Sequence, residues 1–278
     1  MSLDVRADGV ARLRRVVARI EGRREAEPAA RTRRPLRLTR ALDAALGGGL
    51  SDDGLHEIAP ASPGDGAAAT GFALALAARF IAERRRTAIV MAEDFALLEA
   101  GALYGPGLAA LGLDLSRLVF VRAPDAPALF QAMEDALKSG APAVVVAEVW
   151  GLKTYDLAAS RRLLLAARAG ATPALLIAAS AYGAADRLSS AAETRFAIAA
   201  APSAHRPSAG EARPLPGRPA FAARLVKARL RAGETAQGLD PARIFSLTWR
   251  SEELCFDEPT LSLPLAAAAD DRPRAARA

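Results

Sequence analysis

The chain has 278 residues, 51% of them hydrophobic and 24% charged, with a formal net charge of +6. That supplies one large core without requiring a second domain. The single cysteine, Cys255, excludes an internal disulfide and fits a reducing, cytoplasmic setting, while the charged start MSLDVRADGVARLRR lacks the apolar stretch of a secretory signal.

Residues 1–35 read as a leader. Val10, Leu13, Val17 and Ile20 fall on one helical stripe, with Arg12, Arg14, Arg15 and Arg19 between them, and the polar stretch REAEPAARTRRP follows as a linker. Such a basic amphipathic helix either folds back on its own core or docks on a partner. From Leu36 the pattern becomes α/β. Buried-strand runs are LHEIA (55–59), TAIVM (87–91), LVFVR (118–122), AVVVAE (143–148) and ALLIAA (174–179), with helix-compatible stretches between them. The helix at 67–84 carries Phe72, Leu76 and Phe80 on one stripe, with Ala73, Ala77 and Ile81 beside it. This alternation predicts a mostly parallel central sheet flanked by helices. No uncharged run is long enough to predict a membrane span, since Gly, Pro or charge interrupts each one.

The pattern then changes. TRFAIAA (194–200), AFAARLVKARLRA (220–232) and RIFSLTWR (243–250) are strand-like with no helix between them, which predicts an antiparallel C-terminal extension of the sheet. Residues 201–219 are rich in Pro, Gly, Ser and Arg, and the tail at 257–278 reads as disordered, especially after Leu265. The core domain is therefore 36–256. Cys255 is expected to be a small buried hydrophobe in a last strand.

The order of segments resembles the RecA recombinase core over residues 36–250. Leu42-Asp43 through Leu50 matches the Leu-Asp-Xaa-Ala-Leu-Gly-Gly-Gly-Leu segment, and Gly54-Leu55-His56-Glu57-Ile58 matches the strand that feeds the phosphate loop. AIVMAEDFAL (88–97) and LGLDLSRLVFVRAPD (111–125) continue in register. Within that superfamily the chain resembles the ImuA family, the RecA-like accessory of the bacterial mutasome. Glu193-Thr194-Arg195-Phe196, Ala201-Pro202-Ser203 and the later Phe221 to Arg224 stretch carry that resemblance. It implies damage-induced mutagenesis and translesion synthesis. The partners it implies are an ImuB-type inactive Y-family polymerase homologue, an error-prone replicative-type polymerase and RecA. The DNA-binding loop of RecA falls on the loose segment here, so Arg206, Arg213 and Arg218 are the candidate DNA contacts, weak and non-specific.

A working phosphate loop needs glycines for close backbone approach, a lysine for the terminal phosphates, a Ser or Thr hydroxyl for magnesium, and a helix N-terminus. The aligned stretch runs Ala59-Pro60-Ala61-Ser62-Pro63-Gly64-Asp65-Gly66. Asp65 stands at the lysine position, Gly66 at the hydroxyl position, and Pro63 removes a backbone donor. A carboxylate beside a triphosphate repels it. Asp65 is better explained as favourable charge at a helix N-terminus, with Gly64 and Gly66 making a tight turn. Glu93 matches the water-activating glutamate of RecA. The magnesium-orienting position falls at Ala147, with Glu148 next to it. Both glutamates are expected to be vestigial.

Neither His56 nor His205 has metal-ligand spacing with Cys255, so no metal and no cofactor is expected. The expectation is a non-catalytic adaptor. The alternatives are an unconventional ATPase or DNA-binding RecA paralogue, and a SulA-like cell-division inhibitor.

Overall fold

The computed structural model describes residues 34–203, 217–229 and 240–258. Contacts divide the chain into Met1–Arg34 and Pro35–Ala278, and the elements below belong to the second unit. Leu36 pairs with Leu50 in an isolated bridge, closing a loop that contains α1 (Arg40–Ala45). The hydroxyl of Thr39 caps this helix by accepting from the Leu42 amide at 3.3 Å, and Asp43 accepts from the Leu38 amide at 2.8 Å. The chain returns through Gly47, Gly48 and Gly49, with φ of 70°, 129° and 129°. A Cβ on Gly49 would sit 2.7 Å from the Leu36 carbonyl oxygen, so the triple glycine is a conformational requirement.

Alternation follows: β1 (Leu55–Pro60), a 3-10 turn at Pro63–Asp65, α2 (Gly66–Arg84), β2 (Ala88–Glu93), α3 (Asp94–Ala100), α4 (Gly105–Ala110) and β3 (Leu118–Ala123). Next come α5 (Ala126–Ser139), β4 (Val145–Val149), α6 (Leu157–Ala169) and β5 (Ala174–Ala178). The chain continues through β6 (Thr194–Ala200), β7 (Ala220–Ala228), β8 (Ile244–Arg250) and β9 (Cys255–Asp257). One nine-stranded sheet results, in the order β3-β2-β4-β5-β1-β6-β7-β8-β9. Strands β1 to β6 are mutually parallel, and β7, β8 and β9 add antiparallel. The expected extension is therefore present, except that β6 joins β1 in parallel.

Helix α2 covers one face of the sheet. Its predicted stripe of Phe72, Leu76 and Phe80, with Ala73, Ala77 and Ile81, is buried throughout. The stretch Pro63–Arg84 is long and apolar enough, by length and composition, to cross a membrane, although Asp65, Arg79, Glu83 and Arg84 interrupt it. Its apolar surface is instead spent against β1, β4, β5 and β6. The second face is covered by α5 and α6. Asp125 and Asp156 cap them by accepting from Ala128 and Ala159 amides at 2.9 and 2.7 Å. Their C-terminal ends nearly touch: a Cβ on Gly170 would lie 1.8 Å from the Leu137 carbonyl oxygen, so only glycine fits.

The parallel step from β5 to β6 runs through residues 179–193, whose only helical piece is the 3-10 turn Ala185–Arg187. A crossover without a helix leaves carbonyls inside the fold that its own turns do not satisfy. Buried side chains from the strands beneath supply the missing donors.

Candidate functional site

The loop after β1 sits at the carboxyl ends of the parallel strands, where open α/β sheets usually place ligands. It brings together Ser62, Gly64, Asp65 and Gly66 as the sequence predicts, and Asp65 sets its shape. One carboxylate oxygen accepts from the Ser62 amide at 3.0 Å and the Ser62 hydroxyl at 2.6 Å. The other accepts from the Ala200 amide on β6 at 2.9 Å. Ser62 and Asp65 thus form a capping box around the 3-10 turn. The Ser62 hydroxyl, with help from the Ala200 and Ser62 amides, holds the Asp65 carboxyl below the usual carboxylate range against the opposing effect of burial. The tight turn owes nothing to its glycines, which corrects the sequence reading. Gly66 is right-handed helical at φ −53°, and a Cβ at Gly64 or Gly66 would meet nothing within 4 Å.

Asp65→Ala is expected to cost about 0.5–2 kcal/mol at neutral pH, the usual range for a lost cap. The folded-state value is depressed, so the ionic part of this contribution is complete above the ordinary aspartate value of 3.8. It disappears as pH falls through the lowered value. Urea unfolding of both proteins across the acid range measures this convergence.

Glu93 ends β2 and is buried. Its Oε1 accepts from the backbone amides of Trp150 and Gly151, the latter at 2.8 Å. It therefore fixes the turn after β4. Glu148, on β4, faces α2, accepting from the Thr70 hydroxyl at 3.3 Å and the Trp150 indole at 3.4 Å. Burial pushes its carboxyl up, and the nearby Glu93 carboxylate adds to this. Ala147 faces the opposite side among the residues under α5 and α6. Ser62 and Asp65 are not hydrogen-bonded to either glutamate, so the four acceptors form no single cation site. No cluster of three metal-ligating side chains occurs among the described residues.

A second polar cluster was missed by sequence reasoning. Glu57 on β1 and Arg195 on β6 are register partners and both buried. The Arg195 Nε donates to Glu57 Oε2 at 2.5 Å, and the Tyr155 hydroxyl donates to Glu57 Oε1 at 2.5 Å. The remaining Arg195 nitrogens reach up to the helix-free crossover, donating to the Ala185 carbonyl at 2.7 Å and the Ser190 hydroxyl at 2.8 Å. Lys227 on β7 donates to the Ser190 carbonyl at 2.8 Å. Burial, and less so the charges of Arg229 and Arg195, lowers the Lys227 ammonium to about 8. Burial, then the Glu57 carboxylate, pushes the Tyr155 phenol well up. The signal was present in the sequence: a charged residue inside each of two apolar strand runs implies that the two meet.

The buried His56 is accounted for on the same strand. Its Nε2 donates to the Ser51 carbonyl at 2.9 Å, which leaves Nδ1 to accept from the Thr194 hydroxyl at 2.9 Å. Trp249 is fully buried, while Cys255 is half-buried, not the buried hydrophobe expected. Its thiol is pushed up by burial and by nearby carboxylates, so it has little thiolate character. Arg218 pairs with Glu252 at 3.5 Å. Val10, Leu13, Val17, Ile20, Arg206 and Arg213 lie outside the described residues.

No profile of a known protein family matches the chain. Among solved structures, the crystal structure of SulA from Pseudomonas aeruginosa aligns with 45% of this chain and 97% of its own at 22% identity and a TM-score of 0.36. An overlay that loose carries no argument. Among curated proteins, the chain is 38% identical over 122 residues to Protein ImuA from two strains of Caulobacter vibrioides, NA1000 / CB15N and ATCC 19089 / CIP 103742 / CB 15. The match spans 43% of this chain and 46% of each relative, somewhat less than half of either. Over that segment the chain is similar to the ImuA proteins, and it spans somewhat less than half of their length.

Proposed function

We propose that this protein is a non-catalytic adaptor in damage-induced mutagenesis, a RecA-like core whose phosphate loop no longer takes nucleotide and which works through protein contacts. The observation that carries the reading is the placement of Asp65. Anion-binding loops capture phosphate with free amides and a cation. Here a carboxylate of the chain itself occupies the donors of Ser62 and Ala200. A triphosphate would have to displace it and would meet its charge at close range. The glutamate at the water-activating position is likewise spent on the backbone of Trp150 and Gly151.

The far edge of the sheet supports the adaptor half of the proposal. Among the described residues, strand β3 has one neighbour, β2, and no strand on its outer edge. Val119 and Phe120 on it are exposed, as are Phe95, Leu98, Tyr104 and Leu115 around it. Exposed apolar side chains gathered along an open strand edge mark a contact surface. The partners that the family resemblance implies are the ImuB-type polymerase homologue, the error-prone replicative-type polymerase and RecA.

Two measurements test the reading. Titration with a fluorescent ATP analogue and magnesium is expected to show no affinity tighter than about 1 mM, and no hydrolysis. Micromolar binding lost on changing Gly64 overturns it. In co-purification, Leu98→Asp with Tyr104→Asp should abolish capture of the ImuB-type partner while the melting temperature stays unchanged, because both side chains already face water.

A further inference from the structure

Among the described residues the sheet ends at β3 and β9, and the two margins differ in kind. Strand β9 has three residues, Cys255–Asp257; its last is an acid, and Pro259 stands two positions on in the sequence. Short, charged edges resist pairing with another chain. Strand β3 has the opposite character. It runs for six residues, LVFVRA, without Pro or Lys. Its one charge, Arg122, is tied to Asp94 of the same chain at 2.8 Å. Arg117, just before the strand, is held by Asp114 at 3.2 Å. In a chain of net charge +6, this strand and its approach are apolar, with their arginines already neutralised.

Both faces beside β3 carry exposed apolar side chains. Alternation puts Leu118, Phe120 and Arg122 on the α2 side of the sheet, and Val119, Val121 and Ala123 on the α5 side. On the first side Phe120 shares a small cavity with Leu97, Gly101 and Leu103, so the α3–α4 segment flanks the strand there. That segment exposes Leu98 and Tyr104, and a Cβ on Gly105 would lie 3.8 Å from the exposed Leu115. On the second side Val119 borders an open groove with Ile89 and Pro142. Leu98, Tyr104, Leu115, Val119 and Phe120 are 45–82% exposed. With about 150–250 Å² for a large side chain, they offer about 550 Å² of apolar surface per copy of the chain. Two copies edge to edge would bury about 1,100 Å² of it, and apolar atoms make up about 60% of a specific interface. The implied total of about 1,800 Å² lies in the range of stable protein pairs.

We propose that β3 pairs antiparallel with β3 of a second copy of this chain, joining two nine-stranded sheets into one continuous sheet. This goes beyond the adaptor reading and does not rest on it. The edge is complementary to itself. Its side chains are apolar, its arginines are neutralised within each copy, and no excess charge on the strand selects an acidic or a basic partner. Symmetry restricts the register. A twofold axis perpendicular to the sheet keeps each face on its own side, so the pleat stays matched only where a residue lies opposite its own copy. Centring the axis on Phe120, the largest side chain of the strand, sets Phe120 against Phe120, Val119 against Val121 and Leu118 against Arg122. The α3–α4 segments then meet across the axis on the Phe120 side. An edge occupied in this way is closed to any other partner, so the pair is the stored form of the contact surface.

Sedimentation equilibrium of the purified full chain tests the pairing. A dimer with a dissociation constant of about 1 µM is expected, the weak end for an interface of this size. Val119→Lys installs the charge that edge strands use against pairing, and should weaken the dimer about 30-fold or more at an unchanged melting temperature. Ile244→Lys, the same kind of change at an exposed position of β8, should leave it unchanged. Register is read by air oxidation in a Cys255→Ser background. Phe120→Cys should give a disulfide-linked dimer, because directly opposed Cβ atoms come within reach of a disulfide. Val119→Cys should not, since its own copy lies diagonally across, about 7 Å away. If Val119→Lys lowers the melting temperature, the cysteine pair decides the question alone. A chain that stays monomeric at about 100 µM overturns the proposal. So does a dimer that Val119→Lys leaves intact, in which case Leu13→Asp with Val17→Asp shows whether the leader carries it. Cross-linking at Val119→Cys without cross-linking at Phe120→Cys overturns it as well. All of these readouts are made without the ImuB-type protein, so failure here is distinguishable from failure of the adaptor reading.

Discussion

Arg195→Met should lower unfolding stability by about 3–5 kcal/mol, the cost of leaving one member of a buried ion pair uncompensated. Three groups lose a donor at once. Glu57 keeps only the Tyr155 hydroxyl, the Ala185 carbonyl loses its Arg195 donor, and the Ser190 hydroxyl keeps only the 3.4 Å contacts from the Lys227 ammonium and the Ala192 amide. Methionine fills most of the volume, so a cavity contributes little and the loss reads the polar network. Combining it with Glu57→Leu should recover part of the loss, because the double variant removes both charges where the single one strands a carboxylate. Urea unfolding of the four proteins closes the cycle. Losses that simply add would mean that the two residues act independently, against the 2.5 Å contact between them.

Phe72→Ala is the other large loss, again about 3–5 kcal/mol, this time from a cavity and from lost transfer energy. Phe72 lies at the centre of an aromatic cluster, with ring centroids 5.5 Å from Phe196, 5.7 Å from Phe221 and 5.3 Å from Phe256. Those rings come from β6, β7 and β9, so one side chain of α2 ties the whole antiparallel extension to the parallel half. Trp249 on β8 joins through Phe256 at 4.8 Å. The variant should loosen the extension first. Hydrogen exchange at β7 and β8 amides should accelerate more than at β4 and β5. Uniform acceleration across the sheet would show instead that the two halves open together.

The strands β1 to β8 were legible in the sequence because apolar runs with turn signals between them are a local property. The stripe Phe72, Leu76, Phe80 was legible for the same reason. The parallel placement of β6 was not. The step from β5 is made without a helix, and nothing local distinguishes such a crossover from a long loop leading to an antiparallel strand. Its stability depends on Arg195 and Lys227 reaching across from other strands, which is a tertiary fact. At the loop, the position of Asp65 foretold its role at the turn. The bond to the Ala200 amide was invisible, since it joins positions that only the sheet order brings together. The triple glycine is the converse case. It was recognisable as a motif, but its reason, three left-handed residues beside the Leu36 carbonyl, needed the fold.

The carboxylate in the β1–α2 loop differs from a bound anion in one respect beyond charge: it is covalently part of the loop. A diffusible phosphate occupies a site according to its concentration and leaves at a finite rate. A tethered group is present at a high effective concentration at all times. The junction of β1, β6 and α2 is thereby held in one geometry whatever the supply of small anions around it. It acts as a fixed strut at the place where a phosphate-operated protein would carry its moving joint.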